Sequence, residues 1–211
     1  MAFSNSSIKT YEDCPYKYKL TRIEHRQEPT GPAAERGKMI HSEFENALVS
    51  LNLVPAEHEY WQTYIAELIA KKTRSEVEFA VTRDWSVCGF KDSHAWLRGI
   101  YDAVYFDGAR AHVLDWKTGK ERDYGDQLKL YATVILACYP EIEEVTTEIC
   151  YIDLQKRQAC PTYKRSQLGE LKQWMADRMH KIENDSIFAP NPSFGCKWCH
   201  FRKDNGGPCQ W

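Results

Sequence analysis

The spacing of apolar residues limits the folds open to this chain, because it changes from helical to strand-like near Ser75. The predicted helices in the main body of the chain are residues 33–50, 55–72, 124–138 and 166–185. The predicted strands are residues 76–81, 85–90, 95–106, 111–116, 145–154 and 158–163. The first four strands follow one another as a β-meander. The sequence therefore predicts an α/β (α+β) chain.

Length and charge narrow the class of protein further. The 211 residues are 43% hydrophobic, with a net charge of −2 and a mean hydropathy of −0.61. This size favours a single domain spanning residues 1–211. The chain lacks the strongly basic balance of many DNA-binding proteins, so a nucleic-acid site would have to be a local groove. The absence of a long apolar run or signal-peptide start predicts a cytoplasmic protein without a membrane partner.

The two ends of the chain differ in composition from its middle. Near the start, Ser4 or Ser6 is a suitable cap for a helix that Pro15 should interrupt near Cys14. A loop is predicted at residues 28–32. The tail from Ala189 is rich in proline, glycine and cysteine and cannot form a core alone. Residues 1–32 and 189–211 should therefore form a cysteine-rich region beside a core of residues 33–188.

Two acidic residues and a lysine on neighbouring predicted strands form the main candidate site. Asp102 ends the run G-I-Y-D, and thirteen positions later Asp115 begins the run D-W-K-T-G. If the two strands form an antiparallel hairpin, the two carboxylates face each other and share a divalent ion. Strand alternation places Lys117 on the face of Asp115, with Trp116 opposite. Oxygen ligands favour Mg²⁺ or Mn²⁺, and a lysine beside such an ion suits phosphodiester chemistry.

A simpler interpretation of these residues is open at this point. An arbitrary D-x-K usually lies on the solvent face of a strand, and Asp102 is then an ordinary turn carboxylate. His41 is by default a surface or capping residue of its helix. Tyr131 is equally suited to packing in the core.

Four motifs together resemble the RecB-like PD-(D/E)XK nucleases, including the AddB-like, CRISPR-associated and phage-encoded exonucleases. They are R-G-K-M-I-H ending at His41, G-I-Y-D, L-D-W-K-T-G, and Q-L-K-L-Y-A beginning at Gln127. The resemblance implies a restriction-endonuclease-like core with a mixed central sheet flanked by helices. It also implies a DNA exonuclease that requires Mg²⁺ or Mn²⁺, in a bacterial, archaeal or phage-infected cell.

The resemblance also assigns roles to residues of this chain. It implies that His41, Asp102, Asp115 and the Trp116 carbonyl bind the metal ion. Lys117 then corresponds to the catalytic lysine. Gln127 and Tyr131, four positions apart on one helix face, are implied to lie beside the site, where they hold the lysine or contact a phosphate.

Four cysteines form a second candidate site. Cys196, Cys199 and Cys209 crowd the tail, and Cys14 lies 182 positions before the first of them. Four thiolates at these positions suit either Zn²⁺ or a 4Fe-4S cluster, and either would close nearly the whole chain into a loop. The other cysteines (Cys88, Cys138, Cys150 and Cys160) are interpreted as small buried side chains.

The sequence around Cys14 resembles the first half of the iron-sulfur motif in AddB-like and CRISPR-associated exonucleases. It has the pattern S-x-x-x-x-Y-x-x-C-P-Y. The resemblance implies a 4Fe-4S cluster held by Cys14, Cys196, Cys199 and Cys209. The gap before Cys209 is longer than in those relatives, which leaves His200 open as a substitute ligand.

DNA with single strands or free ends is the implied partner, alongside proteins of a recombination, CRISPR or phage replication system. The predicted DNA contacts are Arg36, Lys17, Lys197 and Arg202. The aromatic residues Tyr16, Tyr18, Trp198 and Phe201 alternate with these charges, a pattern that suits base stacking and equally suits a solvated face over a core.

Two other functions compete with a nuclease. The first is a catalytically silent nucleic-acid-binding or assembly subunit of the same fold. The second is a zinc-stapled regulatory module, which would leave the acidic residues without a role. The presence of Asp102, Asp115 and Lys117 together favours the nuclease.

Overall fold

The computed structural model describes residues 2–50 and 53–211. Its residues cluster into two compact units, one formed by Pro32–Gln173 with Ala2 and the other by Phe3–Gly31 with Trp174–Trp211. The second unit includes residues 174–188, which the sequence assigned to the core region. Within the described ranges, no helix is both long and apolar enough to cross a membrane.

The first unit contains a five-stranded sheet with the order β1-β2-β3-β4-β5. The strands are β1 Arg74–Val81, β2 Leu97–Asp107, β3 Arg110–Lys117, β4 Glu144–Tyr151 and β5 Lys156–Lys164. Strands β3 and β4 are parallel, while the other neighbours are antiparallel. A parallel pair needs a crossover connection, and helix Gly125–Cys138 provides it between these two strands. The sheet is therefore mixed, as predicted.

Helices of the first unit pack against both faces of β3. They are Pro32–Ser50, Gln62–Ala70 and Gly125–Cys138, which we call α3, α4 and α5, after α1 and α2 of the second unit. Trp116 is buried against Phe44 of α3, with the two ring centroids 5.0 Å apart. The preceding residue, Asp115, instead contacts Gln127 of α5. The alternation predicted for β3 is thus confirmed.

One predicted strand is wrong. Residues 85–90 form no strand, because Thr82, Asp84 and Ser86 make a turn closed by their own hydrogen bonds. On helix α3, Ile40 and Phe44 are buried, whereas the neighbouring Met39 is 56% exposed.

The second unit begins with two short helices, α1 Asn5–Asp13 and α2 Pro15–Tyr18, followed by a π-helical turn at Lys19–Ile23. Ser4 caps α1 by accepting a hydrogen bond from the Ser7 amide, as predicted. The break at Cys14 is also confirmed: the residue before a proline is driven to extended backbone, and Cys14 has φ −162° and ψ 107°.

The last helix, α6 Leu168–Glu183, brings the end of the chain to α1 within the second unit. Arg178 donates two hydrogen bonds of 2.6 Å to the Glu12 carboxylate. Tyr11 donates a hydrogen bond of 2.8 Å to Asp185, and its ring packs edge-on against Phe188. These contacts join sequence positions more than 160 apart. Beyond α6 the tail has only short 3-10 turns, at Phe194–Trp198 and Lys203–Asn205.

Candidate functional site

The side chain of Asp115 lies inside the first unit, between β3 and α5. It is fully buried, and its Oδ1 accepts a hydrogen bond of 2.7 Å from Gln127 Nε2. The same Gln127 amide lies 2.7 Å from the hydroxyl of Tyr131. Asp115 Oδ2 is paired with the Lys117 ammonium. Asp115, Lys117, Gln127 and Tyr131 therefore form one connected group.

Asp102 approaches this group from the neighbouring strand. The register pairs Ala103 of β2 with Leu114 of β3, so Asp102 and Asp115 each stand one position beyond that pair. Asp102 Oδ2 accepts a hydrogen bond of 2.9 Å from the Trp116 amide. The Asp102 carboxylate is thus fixed to the strand that carries Lys117.

The glycine of G-I-Y-D has a packing reason in this structure. A Cβ atom at Gly99 would lie 2.5 Å from the ring of Phe79 on β1. That ring packs against Tyr101 at a tilt of 30°, with the ring centroids 4.5 Å apart, and Tyr101 packs edge-on against Tyr131. Any side chain at position 99 would displace this aromatic group, which covers one side of the site.

Three side chains from three different elements converge at the open end of the site. The ligand atoms of His41 on α3, Glu76 on β1 and Asp102 on β2 all lie within 4.8 Å of one another. His41 Nδ1 is 3.5 Å from Asp102 Oδ2. Over residues 2–50 and 53–211 this is the one group of three or more histidine, cysteine or acidic residues with such spacing. Asp115 lies next to this group but does not belong to it.

Glu76 has an unusual backbone conformation. Its φ of 49° lies in the left-handed region, although it stands inside strand β1. The β1–β2 register passes from Ser75 to Val77 without pairing Glu76. Such a conformation costs energy in a non-glycine residue and is typical of functional sites. At this break in the β1–β2 pairing, the Glu76 carboxylate lies beside His41 and Asp102.

The electrostatics of the site favour a bound cation. Burial and the Asp102 charge raise the pKa of the Asp115 carboxyl to about 7, against the lowering effect of Lys117 and His41. Burial and the Asp102 charge likewise raise the pKa of Glu76. Burial lowers the pKa of His41, but its hydrogen bond to Asp102 and the acidic charges outweigh burial and raise it. Asp115 and Glu76 thus carry an energetic cost of ionisation that a positive ion would offset.

The ammonium of Lys117 is held in its charged form. Burial lowers its pKa, but the charges of Asp115 and Asp102 outweigh that effect and raise it overall. The ammonium also lies 4.7 Å from the centre of the Tyr124 ring. Lys117 is therefore a cation in position to meet an anionic group at the site.

The structure brings His41, Asp102, Asp115, Lys117, Gln127 and Tyr131 together in one unit. That the Trp116 carbonyl binds the metal ion remains a prediction.

The sequence analysis did not predict Glu76 as a site residue. Its segment S-E-V-E-F-A-V looks like a strand whose acids face solvent, and only Glu78 is exposed in that way. The irregular backbone that turns Glu76 toward the site has no signature in the sequence.

All four predicted cluster cysteines line one cavity of about 610 Å³ in the second unit. They are Cys14, Cys196, Cys199 and Cys209, and each is half-buried. A single tetrahedral zinc ion, about 2.3 Å from each sulfur, needs sulfurs about 3.8 Å apart. Within the part of the chain that the structure describes, no three cysteine sulfurs lie within 4.8 Å of one another. The four cysteines, which come from both ends of the chain, nevertheless share one cavity.

Cys209 reaches this cavity through a tight turn. Its amide donates to the Phe201 carbonyl at 2.9 Å, and its carbonyl accepts from the Lys203 amide at 2.7 Å. The turn requires Gly206 at φ 79° and Gly207 packed against the Phe201 backbone, where a Cβ atom would lie 2.2 Å from a carbonyl. The residues inserted before Cys209 therefore return the chain to the cavity, whereas His200 does not line it.

Three of the four predicted DNA-contacting cations form ion pairs within the protein. Arg36 forms a two-bonded ion pair with Asp153 at 2.6 and 2.9 Å. Lys17 lies 2.7 Å from Glu28, and Arg202 lies 2.6 Å from Asp204. Among the aromatic residues whose pattern suits either base stacking or a core, Tyr18 and Phe201 are buried, which favours the core for these two. Trp198 is 65% exposed.

Comparison of the sequence with known families decides the classification. The profile of the PD-(D/E)XK nuclease superfamily matches residues 2–203, which is nearly the whole chain. The chain belongs to the PD-(D/E)XK nuclease superfamily. The mixed five-stranded sheet with flanking helices is the fold of this superfamily, as the sequence motifs implied.

Two solved structures align with this PD-(D/E)XK chain at low sequence identity. The protein SSO0001 is 15% identical, with a TM-score of 0.46, and the match covers 95% of this chain and 83% of that one. A protein of Eubacterium rectale, provisionally assigned as an exonuclease, is 11% identical with a TM-score of 0.49, and the match covers 97% and 87%. No curated protein matches the sequence.

Proposed function

We propose that this chain is a divalent-metal-dependent DNA nuclease that hydrolyses phosphodiester bonds and acts on DNA ends or single strands. One observation carries the proposal: His41, Glu76 and Asp102 converge within 4.8 Å, beside a buried Asp115 that is paired with Lys117. The preference for ends or single strands follows from the resemblance of the motifs to RecB-like exonucleases.

The residues at the site fit a hard divalent cation. Three carboxylates and one imidazole offer oxygen and nitrogen atoms of the kind that Mg²⁺ and Mn²⁺ accept. Asp102, Asp115 and His41 would hold the ion, with Glu76 as a further ligand that the sequence did not predict. When bound, such an ion offsets charge on a phosphate and lowers the pKa of a coordinated water.

Other side chains at the site have roles of their own. The Lys117 ammonium would stabilise negative charge that develops on the phosphate, since it is a buried and charged donor. Gln127 would hold Asp115 in its orientation through the hydrogen bond to Oδ1. Tyr131 would support Gln127 from the buried side, which accounts for both its packing in the core and its place beside the site.

Cleavage of matched linear and circular DNA tests the proposed activity. The intact protein is incubated with end-labelled linear single strands, linear duplexes and circular single strands, with Mg²⁺ or Mn²⁺ or with chelator. We expect degradation of linear DNA only, and only with the metal ion. Cleavage of circles at the same rate would contradict exonuclease action, and absence of all cleavage would favour a silent nucleic-acid-binding subunit.

We also propose that Cys14, Cys196, Cys199 and Cys209 hold a 4Fe-4S cluster. Support comes from the shared cavity and from the sequence around Cys14, which resembles the iron-sulfur motif of AddB-like and CRISPR-associated exonucleases. The second unit otherwise has few buried side chains in its tail, where Phe201 is the main one. A thiolate cluster would supply the stability that burial does not. Iron analysis distinguishes it from the zinc alternative.

The ion pair of Arg36 and Asp153 leads to a prediction about site geometry. Asp153 also accepts a hydrogen bond of 2.6 Å from the Gly119 amide, so it ties the start of α3, which carries His41, to the loop after Lys117. Arg36→Ala and Asp153→Ala should each lower kcat about fivefold, the effect of about 1 kcal/mol for an exposed pair. The Kd for DNA should stay unchanged.

Steady-state kinetics and DNA-binding titrations of both variants check this prediction. Asp153→Asn is the matched control, because it retains an acceptor for the Gly119 amide while losing the charge. If Arg36 contacts DNA directly, Arg36→Ala alone should weaken DNA binding and reduce its salt dependence. That result would favour the DNA contact that the sequence predicted.

A further inference from the structure

Three large aromatic side chains of the tail are exposed to solvent. Phe194 is 79% exposed, Trp198 is 65% exposed and Trp211 is 60% exposed. The rings of Phe194 and Trp198 pack edge to face, with centroids 4.9 Å apart. Trp198 and Trp211 both line the cavity of the four cysteines. Clusters of exposed aromatic side chains occur more often at binding surfaces than at surfaces without a partner.

The segment of the tail that carries Phe194 and Trp198 is positively charged. Residues 186–203 contain Lys197, Arg202 and Lys203 and no acidic residue. The second unit as a whole has ten lysines and arginines against eight acids, while the rest of the chain has 18 against 22. The Lys197 ammonium lies 5.7 Å from the centre of the Trp198 ring. A partner for this surface should therefore be an anion with flat, unpaired rings.

We propose that Phe194, Trp198 and Trp211 form a stacking surface for the bases of single-stranded DNA, with Lys197 and Lys203 contacting its phosphates. The proposal deepens the proposed nuclease function by naming a substrate-binding surface outside the metal site. Single strands expose their bases, whereas a duplex keeps them paired, so stacking on aromatic side chains selects single strands without reading sequence.

The geometry distinguishes this surface from the rest of the cysteine region. Tyr18 and Phe201 lie in the same unit but are buried and have no free ring face for a base. Phe194 does not line the cysteine cavity, so its ring is separable from the proposed cluster. The surface therefore has at least one member whose removal should leave the cysteines undisturbed.

Fluorescence anisotropy of the full chain in chelator tests the proposal without cleavage. The probe is a labelled 20-nucleotide oligothymidine, compared with an abasic oligomer of equal length and with a duplex. We expect the wild type to bind oligothymidine more tightly than either. Phe194→Ala and Trp198→Ala should each weaken oligothymidine binding at least about fivefold, the effect of losing about 1 kcal/mol of stacking. Binding of the abasic oligomer should stay unchanged.

Matched variants separate this surface from other causes of weak binding. Tyr60→Ala removes a 55% exposed ring from the other unit and should bind as the wild type does. Asp115→Asn should lose cleavage yet retain oligothymidine binding, which separates this proposal from the nuclease proposal. Trp198→Phe should restore most of the affinity lost in Trp198→Ala. Melting temperature and iron content of Phe194→Ala should match the wild type.

Any of three results would overturn the proposed stacking surface. One is equal wild-type affinity for oligothymidine and for the abasic oligomer, because bases would then contribute nothing. Another is wild-type oligothymidine affinity in both Phe194→Ala and Trp198→Ala. Equal or tighter binding of the duplex would also contradict it.

Discussion

Replacing Asp115 with asparagine is expected to lower metal-dependent DNA cleavage by about a thousandfold or more, since metal ions supply several kcal/mol of transition-state stabilisation. Asparagine has the shape of aspartate and still offers Oδ1 to Gln127, so the packing between β3 and α5 should persist. What disappears is the negative charge that a divalent ion requires. Initial rates on labelled single-stranded DNA measure the effect.

Lys117→Ala should lower the same rate by about a hundredfold to a thousandfold, the usual effect of removing one preorganised charge donor. The Kd for Mn²⁺ should not increase, since Lys117 is not a proposed ligand of the ion. In Asp115→Asn, by contrast, calorimetric titration with Mn²⁺ should show weakened or absent binding. The two variants thus separate metal binding from stabilisation of the phosphate.

Lys120→Ala is the matched control, because Lys120 is an exposed lysine three positions after Lys117. Its rate should equal that of the wild type. Circular dichroism should show the same fold in all three variants. Undiminished cleavage by Asp115→Asn or Lys117→Ala, with the fold intact, would show that the proposed site is not the site of hydrolysis.

Replacing Cys14 with alanine should unfold or strongly loosen the second unit. Four-thiolate metal sites contribute on the order of 10 kcal/mol to the folding of small domains, which is comparable to their whole stability. The Cys14 backbone should not be the cause, because alanine retains its hydrogen bonds from the Cys14 amide to Thr10 and from the Tyr18 amide to Cys14. The sulfur alone is removed.

Iron and sulfide analysis, visible absorption and thermal melting measure this loss. We expect the wild type to contain iron and to absorb visible light, and Cys14→Ala to lose both together with a lower melting temperature. Cys160→Ala is the control, as a half-buried cysteine of the first unit. Unchanged metal content and melting temperature in Cys14→Ala would show that Cys14 is not a ligand. Zinc without iron in the wild type would show that the four cysteines hold zinc in place of an iron-sulfur cluster.

The features that the sequence predicted correctly are those for which a local conformational rule and the tertiary structure agree. Alternation along β3 separates Asp115 from Trp116, and the proline after Cys14 forces the helix break. Gln127 and Tyr131 meet because helical residues four apart share a face. In each case the periodicity of one element sets the contact, so the linear sequence contains the information.

The remaining features depend on contacts between distant residues. The partner of Arg36 is 117 positions away, and nothing near Arg36 indicates an ion pair rather than a DNA contact. Glu76 joins the site only because its backbone leaves strand geometry. Residues 85–90 have strand-forming side chains but follow a turn closed by Asp84. Such features are settled by tertiary structure, which overrides local propensity.

The hydrogen bonds that the Trp116 backbone amide and the Gln127 side-chain amide donate to Asp102 and Asp115 should affect how fast and how tightly an ion binds. Trp116 and Gln127 fix one oxygen of each carboxylate, so both side chains are already restricted to single rotamers. The side-chain entropy of both residues is therefore lost when the protein folds. Ion binding does not incur this entropic cost a second time, so the free energy of binding is more favourable. An incoming cation therefore meets a rigid receptor, and its size and preferred geometry, rather than side-chain rearrangement, should govern which metals the protein accepts.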